Sequence, residues 1–190
     1  LINIYISVIN GVDGYINKLI GLTEQIREVR LDYWFNEVVF TTNWWFLLLL
    51  SIIPWVLWIK FIDPKRLFET LFYGSLISIY SILLDDIGSY YLCWIYQYQL
   101  VPISSRLNPV DLALMPVTYM VVYQYFKSWK TFFIAQSILS FGAAFLFEPL
   151  FEWLHIYRPI HWYLIYSFII YLVLGIFNKW FVSIVNKKLS

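Results

Sequence analysis

Charge is what this sequence has least of. Of its 190 residues only 13% are Asp, Glu, Lys or Arg, where a soluble domain carries about 25%. Thirteen basic and 12 acidic side chains cannot clothe a water-soluble globule of this size, and a content of 61% hydrophobic residues excludes disorder. The net charge is +1 and no basic block of the kind that neutralises phosphates is present, so nucleic acid is excluded as a partner. Cysteine is equally scarce: Cys93 stands alone, makes no internal disulfide and gives no CxxC chemistry. A Gly-rich phosphate loop and a serine nucleophile elbow are both missing. The two histidines are too few for a three-histidine zinc site. Glu152-x-x-His155 lacks the second copy that a di-iron site requires, so no metal is assigned and no cofactor is named. There is no internal repeat and no low-complexity tract.

What the sequence has instead is long apolar runs. A membrane helix needs about 20 mostly apolar residues, and five stretches qualify as candidates: Val38 to Ile59, Leu67 to Leu84, Leu112 to Phe126, Thr131 to Phe147 with a continuation to His155, and Ile160 to about Val185. Asp63-Pro64 and Asn108-Pro109 precede the second and third as N-cap and first-turn proline. A further uncharged segment, Ile87 to Ser105, is not read as a span. Its Gln97, Gln99, Pro102, Ser104 and Ser105 are polar or helix-breaking, and its tyrosines and Trp94 suit the lipid–water interface.

The charges sort by connection. Lys60, Lys65, Arg66, Lys127, Lys130, Lys179, Lys187 and Lys188 fall on one side of such a bundle and read as ordinary anchors, while the opposite connections hold only Arg106 and Arg158. The positive-inside rule then predicts an outer N-terminus and a cytoplasmic C-terminus. The first 36 residues differ in kind. Val12, Tyr15, Ile16, Leu19, Leu22, Ile26, Val29 and Tyr33 recur at helical spacing among Lys18, Glu24, Arg27, Glu28 and Arg30, which predicts an amphipathic interfacial helix. No small-residue cleavage pattern marks a signal peptide. The expected architecture is therefore all-α: an amphipathic helix over 1–36, then an integral membrane bundle of about five transmembrane helices over 37–190. Helices this short can also complete their packing as a homo-oligomer.

Candidate chemistry gathers on the side opposite the lysines. Asp85 and Asp86 end the second span, Asp111 begins the third, Glu148 and Glu152 lie late in the fourth, and His155, Arg158 and His161 follow. Carboxyls near hydrocarbon are costly unless paired or facing a wet cavity. Glu148 carries most weight: it falls about 25 Å along its helix from Thr131, and either desolvation makes it a proton donor or Arg106 or Arg158 keeps it ionised. Glu148, Glu152 and His155 share a helix face by spacing. Asp111, three residues after Asn108, reads first as a capping carboxylate. Only one of Asp85 and Asp86 can face the bundle. Pro54, Pro116 and Pro149 each free a backbone carbonyl that protein or water must satisfy. The 10 Trp, 16 Tyr and 16 Phe read as belts and packing, or as the lining of a pocket that shields a cation.

Several motifs occur in order along most of the chain. They are Trp44-Trp45-Phe46, Pro54-Trp55, Lys65-Arg66-Leu67, Leu84-Asp85-x-Ile87-Gly88, Pro109-x-Asp111, Leu114-Met115-Pro116-Val117-x-Tyr119-Met120, Tyr123-Gln124-Tyr125-Phe126, and Glu148-Pro149-Leu150 with Ile156-Tyr157 and Trp162. In this order and spacing the chain, from about Tyr33 to Lys179, resembles a family of small uncharacterised multi-pass membrane proteins of endospore-forming bacteria. The resemblance implies a bacterial plasma-membrane protein of about five spans and implies no activity. The layout is also similar to that of membrane-bound terpene and carotenoid cyclases, though no motif carries their catalytic residues onto this chain.

Three functions follow as expectations. The first is binding or passage of a small molecule, lipid or ion at an outward-facing polar pocket, with Glu148, Asp85 and Asp111 on the ligand and Glu152, His155, Arg158 and Arg106 around it. The second is carboxylic-acid catalysis on an isoprenoid or other lipid. The third is a structural subunit that recruits a partner through its first helix.

Overall fold

In the computed structural model the described backbone covers residues 2–189, with side chains described for residues 12–188. The chain divides into two compact units, Leu1–Val39 and Phe40–Ser190.

The first unit is one helix, α1 (Ile2–Tyr33), continued by a π-helical turn at Trp34–Val38. Its apolar stripe is bare: Val12, Tyr15, Ile16, Leu19, Leu22, Ile26, Val29 and Tyr33 are all exposed.

The second unit contains α2 (Thr42–Phe61), α3 (Leu67–Tyr90), α4 (Met115–Tyr125), α5 (Trp129–Gly142), α6 (Glu148–Trp153) and α7 (Leu164–Leu189). Two short antiparallel strands, β1 (Trp94–Tyr96) and β2 (Tyr157–Pro159), pair Ile95 with Arg158. Local chemistry starts these helices. The Thr41 hydroxyl accepts from Trp44 N at 3.3 Å, the Ser128 hydroxyl from Thr131 N at 3.2 Å, and the Asp63 carboxylate from Lys65 N at 3.0 Å with Pro64 at the first position, each meeting an orphan amide of a first turn. Two helices end alike. Leu92 and His155 adopt left-handed backbone (φ 53° and 57°), and the next amides, of Cys93 and Ile156, reach back to the carbonyls of Gly88 and Phe151 at 2.9 Å, closing Schellman turns. Each turn delivers the chain directly into a strand, so β1 and β2 cap one end of the bundle.

Among the described residues four helical stretches are long and apolar enough to cross a membrane: Thr42–Phe61, Pro64–Tyr90, Trp129–Trp153 and Leu164–Lys188. At 20 residues, α2 spans about 30 Å, the thickness of a bilayer's hydrocarbon. The short α4 packs against α2, α3 and α5 and buries eight of its 11 residues. The uncharged segment after Asp86 is not a separate helix: α3 runs on through it to Tyr90 and the strand follows.

The bundle sets polar side chains into an apolar interior and exposes large apolar ones outside. Thr70, Ser81, Gln136, Ser140, Asn178 and Lys179 are buried, whereas Leu49, Ile53, Ile79, Phe133, Ile138 and Val173 are exposed. Water would reject that arrangement and lipid accepts it.

Prolines shape the helices around the interior. A π-helical turn, Val110–Leu114, precedes Pro116, and another, Ala143–Phe147, precedes Pro149. Each widens the backbone where the proline ring would press on the carbonyl four residues earlier. Pro116 leaves the Leu112 carbonyl without its helical donor, and the Trp55 indole N–H supplies one at 3.0 Å.

Candidate functional site

The bundle has an acidic end and a basic end. At the acidic end α3 finishes, the helix carrying Asp111 begins, α6 finishes and α7 begins. A cavity of about 260 Å³ lies there, lined by Asp85, Asp111, Glu148, Trp94, Tyr96, Tyr157, Trp162, Ser167 and Tyr171 among mostly apolar neighbours.

Asp85 is buried and fully engaged. Its Oδ1 accepts from the Trp94 indole and the Tyr96 hydroxyl, both at 2.7 Å, and its Oδ2 from Leu107 N at 3.0 Å. One carboxyl thus ties α3 to β1 and to the start of the next helix. Trp94 reaches it only because residue 88 is glycine: a Cβ there would fall within the Trp94 ring. Burial first, and then the Asp85 carboxyl, push the Tyr96 phenol well above its ordinary value, so it stays protonated and donates.

Asp111 is buried beside Asp85 and feels its charge. Burial, followed by the charge of Asp85, pushes Asp111 up to about 9. Burial and the neighbouring carboxylate both favour the protonated form of Asp111. The capping role expected for Asp111 is thereby corrected, because long-range burial against Asp85 outweighs the local preference of a first helical turn.

Glu148 approaches the cavity from the start of α6. The Tyr171 hydroxyl of α7 donates to its Oε1 at 2.7 Å. Its Oε2 is buried without a hydrogen-bond partner, and the group beside it is the Ser167 hydroxyl, which accepts the Trp162 indole N–H at 2.8 Å. Neither Arg106 nor Arg158 pairs with it. Arg106 meets Asp86 at 3.0 Å, where half of the carboxylate side chain is exposed, so Asp85 faces inward and Asp86 outward. The Tyr157 phenol, pushed up by burial first, feels the charges of both Glu148 and Asp85 and stands between them.

The remaining expected residues stay outside. Glu152, His155 and Arg158 are exposed and do not line the cavity. The helical face expected to join Glu148, Glu152 and His155 is broken because α6 stops at Trp153 and His155 lies in the left-handed turn beyond it. Among the described residues no group of three or more His, Cys, Asp or Glu is placed to hold a metal ion. Trp94, Tyr96, Trp162, Ser167 and Tyr171 carried no individual signal in the sequence. Trp94 and Tyr96, expected at the lipid–water interface, turn their polar atoms inward onto Asp85.

The basic end also departs from its expected role. Arg66 makes an ion pair with Glu69 at 3.2 Å and donates to the Gln124 carbonyl at 2.9 Å, and the Tyr123 hydroxyl donates to Glu69. Lys179, only 4% exposed, donates to the carbonyls of Phe126 and Lys127 at 2.8 and 3.1 Å and lies 4.0 Å from the Phe132 ring centre. Arg66 and Lys179 are structural members of the bundle rather than exposed anchors. Lys179 satisfies the carbonyls of Phe126 and Lys127, just past the end of α4, which no helical amide reaches.

Fold and interior together define an all-α protein that has, among the described residues, four helices able to cross a membrane, with polar groups set into its core and large apolar side chains exposed. No protein-family model, curated protein or solved structure matches the chain.

Proposed function

We propose that the chain is a multi-pass plasma-membrane protein whose acidic-end cavity faces outward and binds or passes a small molecule, lipid or ion. One observation carries the reading: Asp85, Asp111 and Glu148, from three separate helical stretches, line one cavity that has no basic side chain among its lining residues. Buried carboxyls are expensive. Asp85 recovers that cost in structural hydrogen bonds, whereas Asp111 and Glu148 each keep a buried oxygen without a donor. The helix ending in α4 makes the fifth crossing, the lysine-rich end is cytoplasmic by the positive-inside rule, and α1 lies in the membrane interface with its bare apolar stripe toward lipid. Membership in the multi-pass family of endospore formers belongs to the same reading.

The test is native mass spectrometry of the protein released from its own membrane. Wild type retains a bound small molecule, and Glu148→Gln loses it while remaining folded. Equal occupancy in both, or none in wild type, counts against the reading. A second reading, acid catalysis on an isoprenoid lipid, draws on Asp111, whose protonated form burial favours, beside aromatic rings that can shield a cation. Lipid extracts from cells with and without the gene decide it: an unchanged product profile removes the enzyme.

A further inference from the structure

The chemistry of the cavity wall specifies what complements it. Its lining residues include three carboxyl side chains and no Lys, Arg or His. Glu148, only 9% exposed, has Oε2 buried without a partner, and Asp111, 5% exposed, has Oδ2 in the same condition. Around them stand aromatic faces. Trp94 and Trp162 meet edge to face at 4.8 Å, and Tyr157 lies 6.4 Å from Trp94 and 5.9 Å from Tyr96, measured between ring centres. Carboxylates combined with aromatic rings are the recognition chemistry of alkylated ammonium ions, whose diffuse charge is drawn to ring faces and costs little to desolvate. The rest of the wall, with Leu84, Ile87, Leu114, Leu139, Phe147 and Leu174, suits an apolar body.

We propose that this cavity binds an apolar organic monocation, a substituted ammonium, at the unpartnered buried oxygens of Asp111 and Glu148. The proposal rests on the cavity reading above and names its ligand class. Charge balances by exchange with the Asp111 proton: one positive charge enters, one proton leaves to solvent, and no bond other than the O–H is broken. A neutral ligand leaves the carboxyls uncompensated. An anion is repelled, and a zwitterionic lipid headgroup would bring its phosphate among three carboxyls with no cation to receive it.

The groups that face the pair do not supply the missing charge. Asp86 and Arg106 neutralise each other at the rim. Tyr96 from β1, Tyr157 from β2 and Tyr171 from α7 offer hydroxyls, Tyr119 of α4 gives its hydroxyl to the Tyr171 carbonyl, and Cys93 adds a thiol. The value of about 9 for Asp111 sets the window. Below it each cation must displace a proton, so affinity rises about tenfold per pH unit, and above it the dependence levels off.

The experiment titrates the full chain in nonionic maltoside micelles with phenyltrimethylammonium and with its uncharged isostere tert-butylbenzene. Binding is followed by tryptophan fluorescence and protons are counted in weak buffer. The expected result is saturable binding of the cation with about one proton released per cation near pH 7, and no proton release with the isostere. Asp111→Asn, whose amide can donate to Asp85, binds without releasing a proton, and Glu148→Gln weakens the cation at least tenfold. If both compounds bind alike and no proton leaves, the cavity reading stands and the cation inference falls. If neither binds saturably, both fall.

Discussion

The two ends of the bundle bury charge in opposite ways. At the basic end, Arg66, Glu69, Tyr123, Gln124 and Lys179 form a closed network in which the cations have a carboxylate, carbonyls or a ring face against them. Gln124 completes it, accepting from Asp63 N at 3.2 Å and donating to the Phe61 carbonyl at 2.8 Å. At the acidic end Asp85 is just as well satisfied, but its neighbours Asp111 and Glu148 are not. Burial alone therefore does not mark a functional site, because a buried charge with all its partners is a rivet. A buried charge that has room beside it and lacks a partner is where a ligand completes the structure.

Substitutions sharpen that contrast. The largest effect is expected for Asp85→Ala, which strands the Trp94, Tyr96 and Leu107 donors. At roughly 1–2 kcal/mol each, the loss is about 4 kcal/mol in a chemical-unfolding titration in micelles, and a cost under about 1 kcal/mol would break the account of Asp85 as the latch. Arg66→Ala opens the basic network at a pair that is about a quarter exposed, so the expected cost is smaller, about 2 kcal/mol. Gly88→Ala drives a methyl into the Trp94 ring. About 1–3 kcal/mol is expected, with a change in Trp94 emission that distinguishes a displaced indole from a general loss of stability.

The pH response separates Asp111 from the rest. Its folded value near 9 lies above the ordinary 3.8, so the folded protein keeps a proton that the unfolded chain gives up. The resulting stability is present below about 4 and is lost as pH rises toward 9. The thermal midpoint of wild type should fall between pH 5 and 9, and Asp111→Asn should flatten that fall. Parallel curves would mean that Asp111 keeps no proton. The smallest effect is a gain. His155 occupies left-handed backbone, where glycine has no Cβ to clash, so His155→Gly should stabilise by about 1 kcal/mol without altering cavity binding.

Helix positions were legible because they rest on local signals. Apolar runs with few charges located the four long helices, and Asn108-Pro109 announced the helix that leads to α4. That Asp85 rather than Asp86 turns inward was open to the sequence only as an alternation, since which of the two does so depends on the neighbours of α3. What stayed hidden depends on long-range register. Trp94 and Tyr96 find Asp85 across a chain reversal, and Tyr171 finds Glu148 from the next helix, 23 residues on. The capping rule misassigned Asp111 because it weighs only the first turn. Lys179 did carry a signal: it lies just past the midpoint of α7, inside the apolar run and well before the terminal Lys187 and Lys188. An ionisable side chain at that depth points to a buried partner rather than an anchor.

The most direct measurement of the central claim is infrared difference spectroscopy of the carboxyl carbonyl band at neutral pH. The account predicts that a protonated-carboxyl band present in wild type disappears in Asp111→Asn and is bleached when phenyltrimethylammonium is added. A band that persists unchanged through both would contradict it.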